Sequence, residues 1–190
     1  MATQSEERSS PRRVLDEHEI ARALRRMAGE IAERNRGTAG VALVGVRRGG
    51  VPLARRLAAY LRESEGREVP VGSVDITLYR DDAATALPDP RIGRSEIDFV
   101  VEDHTIVLVD DVLFTGRTTR AAIDAIMDYG RPRAIQLAAL VDRGHRELPV
   151  QPDYAGKVVE TAREERVDVR VDVEGEPDAV YVLAARVTNR

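Results

Sequence analysis

The 190-residue sequence contains no cysteine. This excludes disulfides and thiolate metal centres, and it fits a reducing cytoplasm. Lysine is almost missing too, since of the 29 basic residues only Lys157 is a lysine. The cations are therefore arginines, which make bidentate contacts to phosphate and carboxylate that lysine does not. Codon usage in a GC-rich genome accounts for the same bias equally well. No apolar run is long enough to span a bilayer and no secretory leader is visible, so no membrane partner is expected. Nor is there an excess of positive charge. With 33 acidic residues the formal net charge is −4, so any nucleic-acid binding must come from a local basic patch.

What is present suits one soluble globular domain, with 43% apolar and 33% charged residues. Residues 1–11 are polar and Ser-rich and read as a disordered tail, which leaves 12–190 as a single domain. Asp16 and Glu19 have capping-box spacing ahead of a helical stripe of Ile20, Leu24, Met27 and Ile31. That helix is expected to end near Asn35. Residues 41–46 form a continuous apolar run, as in a strand covered on both faces, and the run stops at Arg47-Arg48-Gly49-Gly50. Leu53, Leu57 and Leu61 mark a second helix. Alternation over 74–79 predicts a strand. Residues 80–98 have no period and are long for a connector, which suggests a lid or binding loop. Residues 106–109 and 134–141 read as buried strands, with a helix over about 117–129 between them. Val167, Val169, Val171 and Val173, then Tyr181 to Ala184 after a Gly175/Pro177 turn, predict an antiparallel hairpin. The expected fold class is α/β: a mainly parallel central sheet flanked by helices, with a small C-terminal hairpin or hood.

The most informative stretch is Ile106-Val-Leu-Val-Asp-Asp-Val-Leu-Phe-Thr-Gly-Arg-Thr-Thr119. A parallel sheet places ligands at the carboxyl ends of its strands. Asp110 and Asp111 stand there and can accept hydrogen bonds from two vicinal hydroxyls. Thr115, Gly116, Arg117, Thr118 and Thr119 open a helix whose free N–H groups and positive dipole end suit a phosphate. A diol acceptor next to a phosphate cradle describes a ribose 5-phosphate site. A doubly wound domain has such strand–loop–helix units anyway, but the acidic pair followed by T-G-x-T-T is a much narrower pattern.

The 106–119 stretch resembles the phosphoribosyl pyrophosphate (PRPP) motif of type I phosphoribosyltransferases. Residues 75–82, the Arg131-Pro132 run and the 140–149 motif (Leu-Val-Asp-Arg-Gly-His-Arg-Glu-Leu-Pro) resemble the PyrR family. These are pyrimidine-operon attenuation regulators that also carry uracil phosphoribosyltransferase activity. The resemblance runs from about Leu15 to Ala184. It implies the reaction of uracil with PRPP to give UMP and pyrophosphate, with Mg²⁺ held mainly by PRPP and water and Asp110 or Asp111 as possible ligands. It implies that Asp110, Asp111 and Arg80 carry catalysis, and that Arg47, Arg48, Gly49 and Gly50 form the pyrophosphate loop. Many members have Thr-Arg-Gly where this chain has Arg48-Gly49-Gly50, so which arginine contacts pyrophosphate is open. Tyr79 and Arg80 would open a loop that closes over PRPP.

Phe114 stands where purine-using relatives carry an acidic residue, which favours a pyrimidine. Val141 and Asp142 would lie beside the base, with Asp142 equally readable as a turn cap. The resemblance further implies binding to the leader of pyrimidine-operon mRNA and at least a homodimer. Arg22, Arg25 and Arg26 on the polar side of the first helix, with His145, Arg146 and Lys157, are the candidates for RNA contact, joined by the nearby charge of Arg143. Gly29 departs from a polar side chain found there in some members. An RNA-binding UMP sensor with negligible catalysis and a purine-salvage transferase remain as alternative readings.

Overall fold

The computed structural model describes residues 11–79 and 95–185. The expected disordered tail and Arg80, with most of the expected lid, lie outside these residues. Strand β1 (Arg12–Asp16) leads into helix α1 (Glu17–Asn35), and strand β2 (Val41–Val46) into helix α2 (Gly50–Glu65). Strand β3 (Val71–Val74) and a 3-10 turn (Thr77–Tyr79) follow. Strand β4 (Thr105–Leu113), helix α3 (Arg117–Met127) and strand β5 (Ala134–Asp142) come next. Strands β6 (Tyr154–Val158), β7 (Arg166–Arg170) and β8 (Ala179–Leu183) complete the chain. The main sheet has order β3-β2-β4-β5-β6, and each of its neighbouring pairs is parallel.

The apolar runs have a simple cause. Successive side chains of a strand point to opposite faces. In β2, Val41 and Leu43 enter the core shared with α1 and α2, whereas Ala42, Val44 and Val46 enter the core under α3. In β4, Val107 and Val109 face the first core, and Ile106 and Leu108 the second. Both faces being covered, neither strand has room for a polar alternation. Helix α1 begins with the expected capping box: the Asp16 carboxylate accepts the Glu19 N–H at 2.8 Å, and the Glu19 carboxylate accepts the Asp16 N–H at 2.9 Å. The N–H contact holds the Asp16 carboxyl below its ordinary range.

Two expectations are corrected. The strand placed over 74–79 lies over Val71–Val74 instead. The Asp75 carboxylate accepts both the N–H and the hydroxyl of Thr77, at 2.8 and 2.5 Å, and this local turn bends the chain out of the ladder. The C-terminal hairpin is not alone either. β8 pairs antiparallel with β7 on one side and with β1 on the other, giving a three-stranded sheet of order β1-β8-β7. Its alternation stops at Arg170, and Val173 is exposed. Arg56 of α2 fastens this hood to the body through Asp172 and Asp178.

Candidate active site

In an all-parallel sheet the C-terminal ends of the strands share one edge. Here that edge carries Arg47 after β2, the acidic pair in β4 and Asp142 in β5. Asp110 and Asp111 lie inside β4, which runs on to Leu113. Asp110 is 5% exposed. Its Oδ1 accepts the Asp111 N–H at 3.0 Å, and Asp111 Oδ1 accepts the Val112 N–H at 2.8 Å. Burial, and after it the neighbouring Asp111 charge, holds the Asp110 carboxyl well above the usual carboxylate range.

The basic glycine turn meets this pair directly. A Cβ on Gly49 would lie 2.1 Å from Asp111 Oδ2, and one on Gly50 would lie 2.1 Å from the Val109 carbonyl. Only glycine permits so close an approach of α2 to β4. The Arg47–Arg48 peptide is cis. The guanidinium of Arg47 is occupied, donating to Ser73 Oγ at 3.1 Å and pairing with Glu96 at 3.0 Å. Arg48 is exposed and has no ion pair among the described residues, so it is the one with donors to spare. A cleft of about 390 Å³ beside the turn is lined by both arginines, Ser73, Glu96, Asp98 and Arg55. Arg55 was missed in the sequence because it looks like any solvated helix arginine.

The turn into α3 opens on a glycine. Gly116 is the N-cap with φ 92°, and as a glycine it brings no side chain to cap the helix, so apart from the Arg117 N–H the first-turn N–H groups have no side-chain acceptor among the described residues. The Arg117 N–H reaches Thr115 Oγ1 at 3.4 Å. The turn is braced from behind, where the Thr115 carbonyl accepts the N–H groups of Glu147 and Leu148 at 2.9 and 3.1 Å. The side chain of Arg117 pairs with Glu147 at 2.8 Å, and Glu147 also pairs with Arg163. These cations hold the Glu147 carboxyl below its ordinary value, Arg117 foremost. Thr118 is half-buried at the turn. Thr119 is set apart from the other four. It is 2% exposed on the inner face of α3 with Ala122 and Ile126, and its hydroxyl has no partner among the described residues.

Phe114 follows the acidic pair, and its ring is packed by two residues of the 140–149 motif. The Arg143 guanidinium lies 4.1 Å from the ring centroid, and the His145 ring meets it edge-on at 5.9 Å. His145 Nε2 also contacts the Thr161 carbonyl at 2.8 Å. Val141 is paired with Val112 and Lys157, and Asp142 with Leu113 and Val158, so both belong to the ladder. Asp142 has the geometry of a turn cap: Oδ1 accepts the Gly144 N–H at 2.9 Å, and Oδ2 pairs with Arg146 at 2.7 Å. Arg146 donates further to the carbonyls of Phe114, Gly144 and Val150. Its donors thus tie the 142–150 segment to Phe114, at the start of the turn into α3.

The remaining RNA candidates are divided. Arg22 is exposed and unpaired among the described residues. Arg25 pairs with Glu63 and covers the Tyr60 ring. Arg26 pairs with Glu30 and donates to the Ala155 and Gly156 carbonyls of β6. Lys157 donates to the Val14 carbonyl, which places it beside Arg12 and Arg13 of β1 in a shared cleft. Those two arginines carry no motif that marks them in the sequence.

The donor set tests the fit of a magnesium ion. Two adjacent carboxylates converge here, and no group of three His, Cys, Asp or Glu gathers among the described residues. Such a pair suits Mg²⁺, which keeps most ligands from phosphate and water and few from protein.

An acidic pair, a glycine-capped helix start and a basic glycine turn on one edge of a parallel sheet together define a phosphoribosyltransferase. The phosphoribosyl transferase domain family matches residues 12–174. The solved hypoxanthine phosphoribosyltransferase of Trypanosoma cruzi in complex with IMP superposes with a TM-score of 0.71 at 20% identity, covering 98% of this chain and all of that one. A hypoxanthine-guanine enzyme of Bacillus anthracis gives 0.66 at 16%, covering 92% of this chain and 99% of that one. At that identity the likeness establishes the fold. Among curated proteins, the bifunctional protein PyrR of Pelotomaculum thermopropionicum is 55% identical over 173 residues, covering 90% of this chain and 96% of the relative. That of a Roseiflexus species is 53% identical over 179 residues, covering 94% and 98%. The chain belongs to the PyrR family.

Proposed function

We propose that the chain is bifunctional, transferring the phosphoribosyl group of PRPP to uracil and regulating a pyrimidine operon by binding its leader mRNA. The observation that carries the enzymatic half is the meeting of the acidic pair, the α3 cradle and the 47–50 turn on one edge. The backbone N–H groups and hydroxyls of Thr115 to Thr118 hold the 5-phosphate. Thr119 contributes through its backbone, its side chain being directed inward. Asp110 and Asp111 hold the ribose hydroxyls and oppose the positive charge that develops on the sugar in an oxocarbenium-like transition state. Arg48 neutralises the leaving pyrophosphate, and Gly49 and Gly50 admit it close to the backbone. Arg80 is assigned to the same group. Mg²⁺, which Asp110 or Asp111 would hold together with PRPP and water, would supply neutralisation of the negative charge on the leaving group. Phe114 provides an apolar ring in place of a proton-exchanging carboxylate, which selects a pyrimidine, beside Val141 and Asp142.

For RNA, the reading rests on Arg22 and Lys157, whose side chains face solvent, on Arg25 and Arg26 beside them, and on Arg12 and Arg13 across the cleft. His145 and Arg146 contribute through the loop they hold. A basic face of this size is completed by a second copy, so a homodimer or larger assembly belongs to the proposal, as does a cytoplasmic location.

The test is to incubate the protein with PRPP, Mg²⁺ and each nucleobase in turn. UMP formed from uracil alone supports the proposal. Comparable turnover of guanine or hypoxanthine overturns it in favour of purine salvage, and UMP binding without any turnover reduces the protein to a sensor. For RNA, a mobility shift with the pyrimidine-operon leader, strengthened by UMP and weakened by salt, is expected. No salt-sensitive shift removes that half.

A further inference from the structure

Arg143 is an anomaly. It is 6% exposed, yet no carboxylate pairs with it among the described residues. Its donors go to neutral oxygens: Thr161 Oγ1 at 3.2 Å and the carbonyls of Ala162 and Arg163 at 2.9 and 3.1 Å. Of the nearby carboxylates, Asp142 pairs with Arg146, and Glu165, which accepts the Ala162 N–H, acts on the guanidinium through its charge without an ion-pair contact. Burying a cation with no carboxylate in contact is costly, and a chain seeking only stability has cheaper fillers for the position. The guanidinium rests 4.1 Å from the Phe114 ring centroid. His145, the other group at that ring, is bound to the Thr161 carbonyl.

We propose that Arg143 is a positioning residue of the base subsite: it fixes the Phe114 ring from one side and sets a buried positive field behind the pyrimidine on the other. The inference rests on the uracil reading above. In the transfer, N1 of uracil forms a bond to C1′ of the sugar, and the C1′–O bond to pyrophosphate breaks with its electron pair leaving on pyrophosphate. The N1 proton passes to solvent. Uracil is a weak nucleophile until that proton loosens, and a nearby cation in a low-dielectric site favours the more anionic base.

The test compares kcat/KM for uracil and for 5-fluorouracil, whose ring N–H is more acidic and needs less help. The ratio of the two is independent of how much protein is folded, so a partly unstable variant still gives a reading. Arg143→Met should lower the uracil to 5-fluorouracil ratio by about tenfold. Arg143→Lys, which keeps the charge, should hold it within about threefold of wild type. Equal losses on both bases in Arg143→Met would mean a purely structural arginine and overturn the inference alone. Wild-type protein that turns over neither base overturns the uracil reading with it.

Discussion

Replacing Asp110 by Asn should make the protein more stable and less active. The carboxyl is 5% exposed and adjoins Asp111. Because burial and that neighbour raise its pKa, the native state keeps the proton at pH values where the unfolded chain has lost it. The native state then binds more protons than the unfolded one, and stability falls as pH rises from the ordinary carboxylate range through the raised value. Near neutral pH the wild type carries this cost, whereas Asn has no charge to lose. Its Oδ1 can still accept the Asp111 N–H that Asp110 Oδ1 accepts at 3.0 Å. Relief of a buried, crowded charge is worth about 1–2 kcal/mol, which for a domain of this size raises Tm by roughly 3–6 °C. In the same variant the ribose hydroxyls lose a charged acceptor, and kcat/KM for PRPP should fall more than about tenfold, some 1.4 kcal/mol. Thermal melts at two pH values, with initial rates across PRPP concentrations, read both effects. The variant should also flatten the loss of stability with rising pH. A destabilised variant with unchanged kinetics would refute the reasoning, since Asp110 would then be a structural acceptor.

Other substitutions separate site from scaffold. Gly49→Ala places a methyl 2.1 Å from Asp111 Oδ2; displacing the carboxylate should cut kcat/KM for PRPP more than about tenfold while Tm changes little. Gly50→Ala meets the rigid Val109 carbonyl instead, and urea unfolding should show a loss of about 2–3 kcal/mol from overpacking. Arg56→Met strands the carboxylate of Asp178, which is 8% exposed; allowing for the partial exposure of Arg56, the hood should lose about 2 kcal/mol of stability, with KM for PRPP unchanged. Thr119→Val removes a buried hydroxyl without a partner among the described residues and should gain about 1 kcal/mol at constant KM; a higher KM for PRPP would show that the hydroxyl serves the phosphate.

The sheet was legible because its strands are buried on both faces. Runs such as 41–46 and 106–109 have no other comfortable place in a soluble domain. The turn into α3 was legible as a helix start because a glycine, here at positive φ, precedes the first helical residues. The 74–79 stretch misled because Asp75 turns the chain through its own side chain, a choice that alternation does not encode. β1 escaped notice because two of its five residues are arginine and it finds its partner only in β8, far along the chain. The arginines were the least readable group. On a helical wheel Arg25 and Arg26 look solvated, yet one covers Tyr60 and the other reaches β6. Arg146, read as an RNA contact, and Asp142, read as a base neighbour or a turn cap, bind each other. Those facts depend on which elements pack together.

The account stands most directly on where a nucleotide sits. A structure determined with UMP bound should show the phosphate within hydrogen-bond distance of the N–H groups at Gly116 to Thr118 and both ribose hydroxyls on Asp110 and Asp111. UMP bound at another edge, with the α3 turn bare, would contradict it.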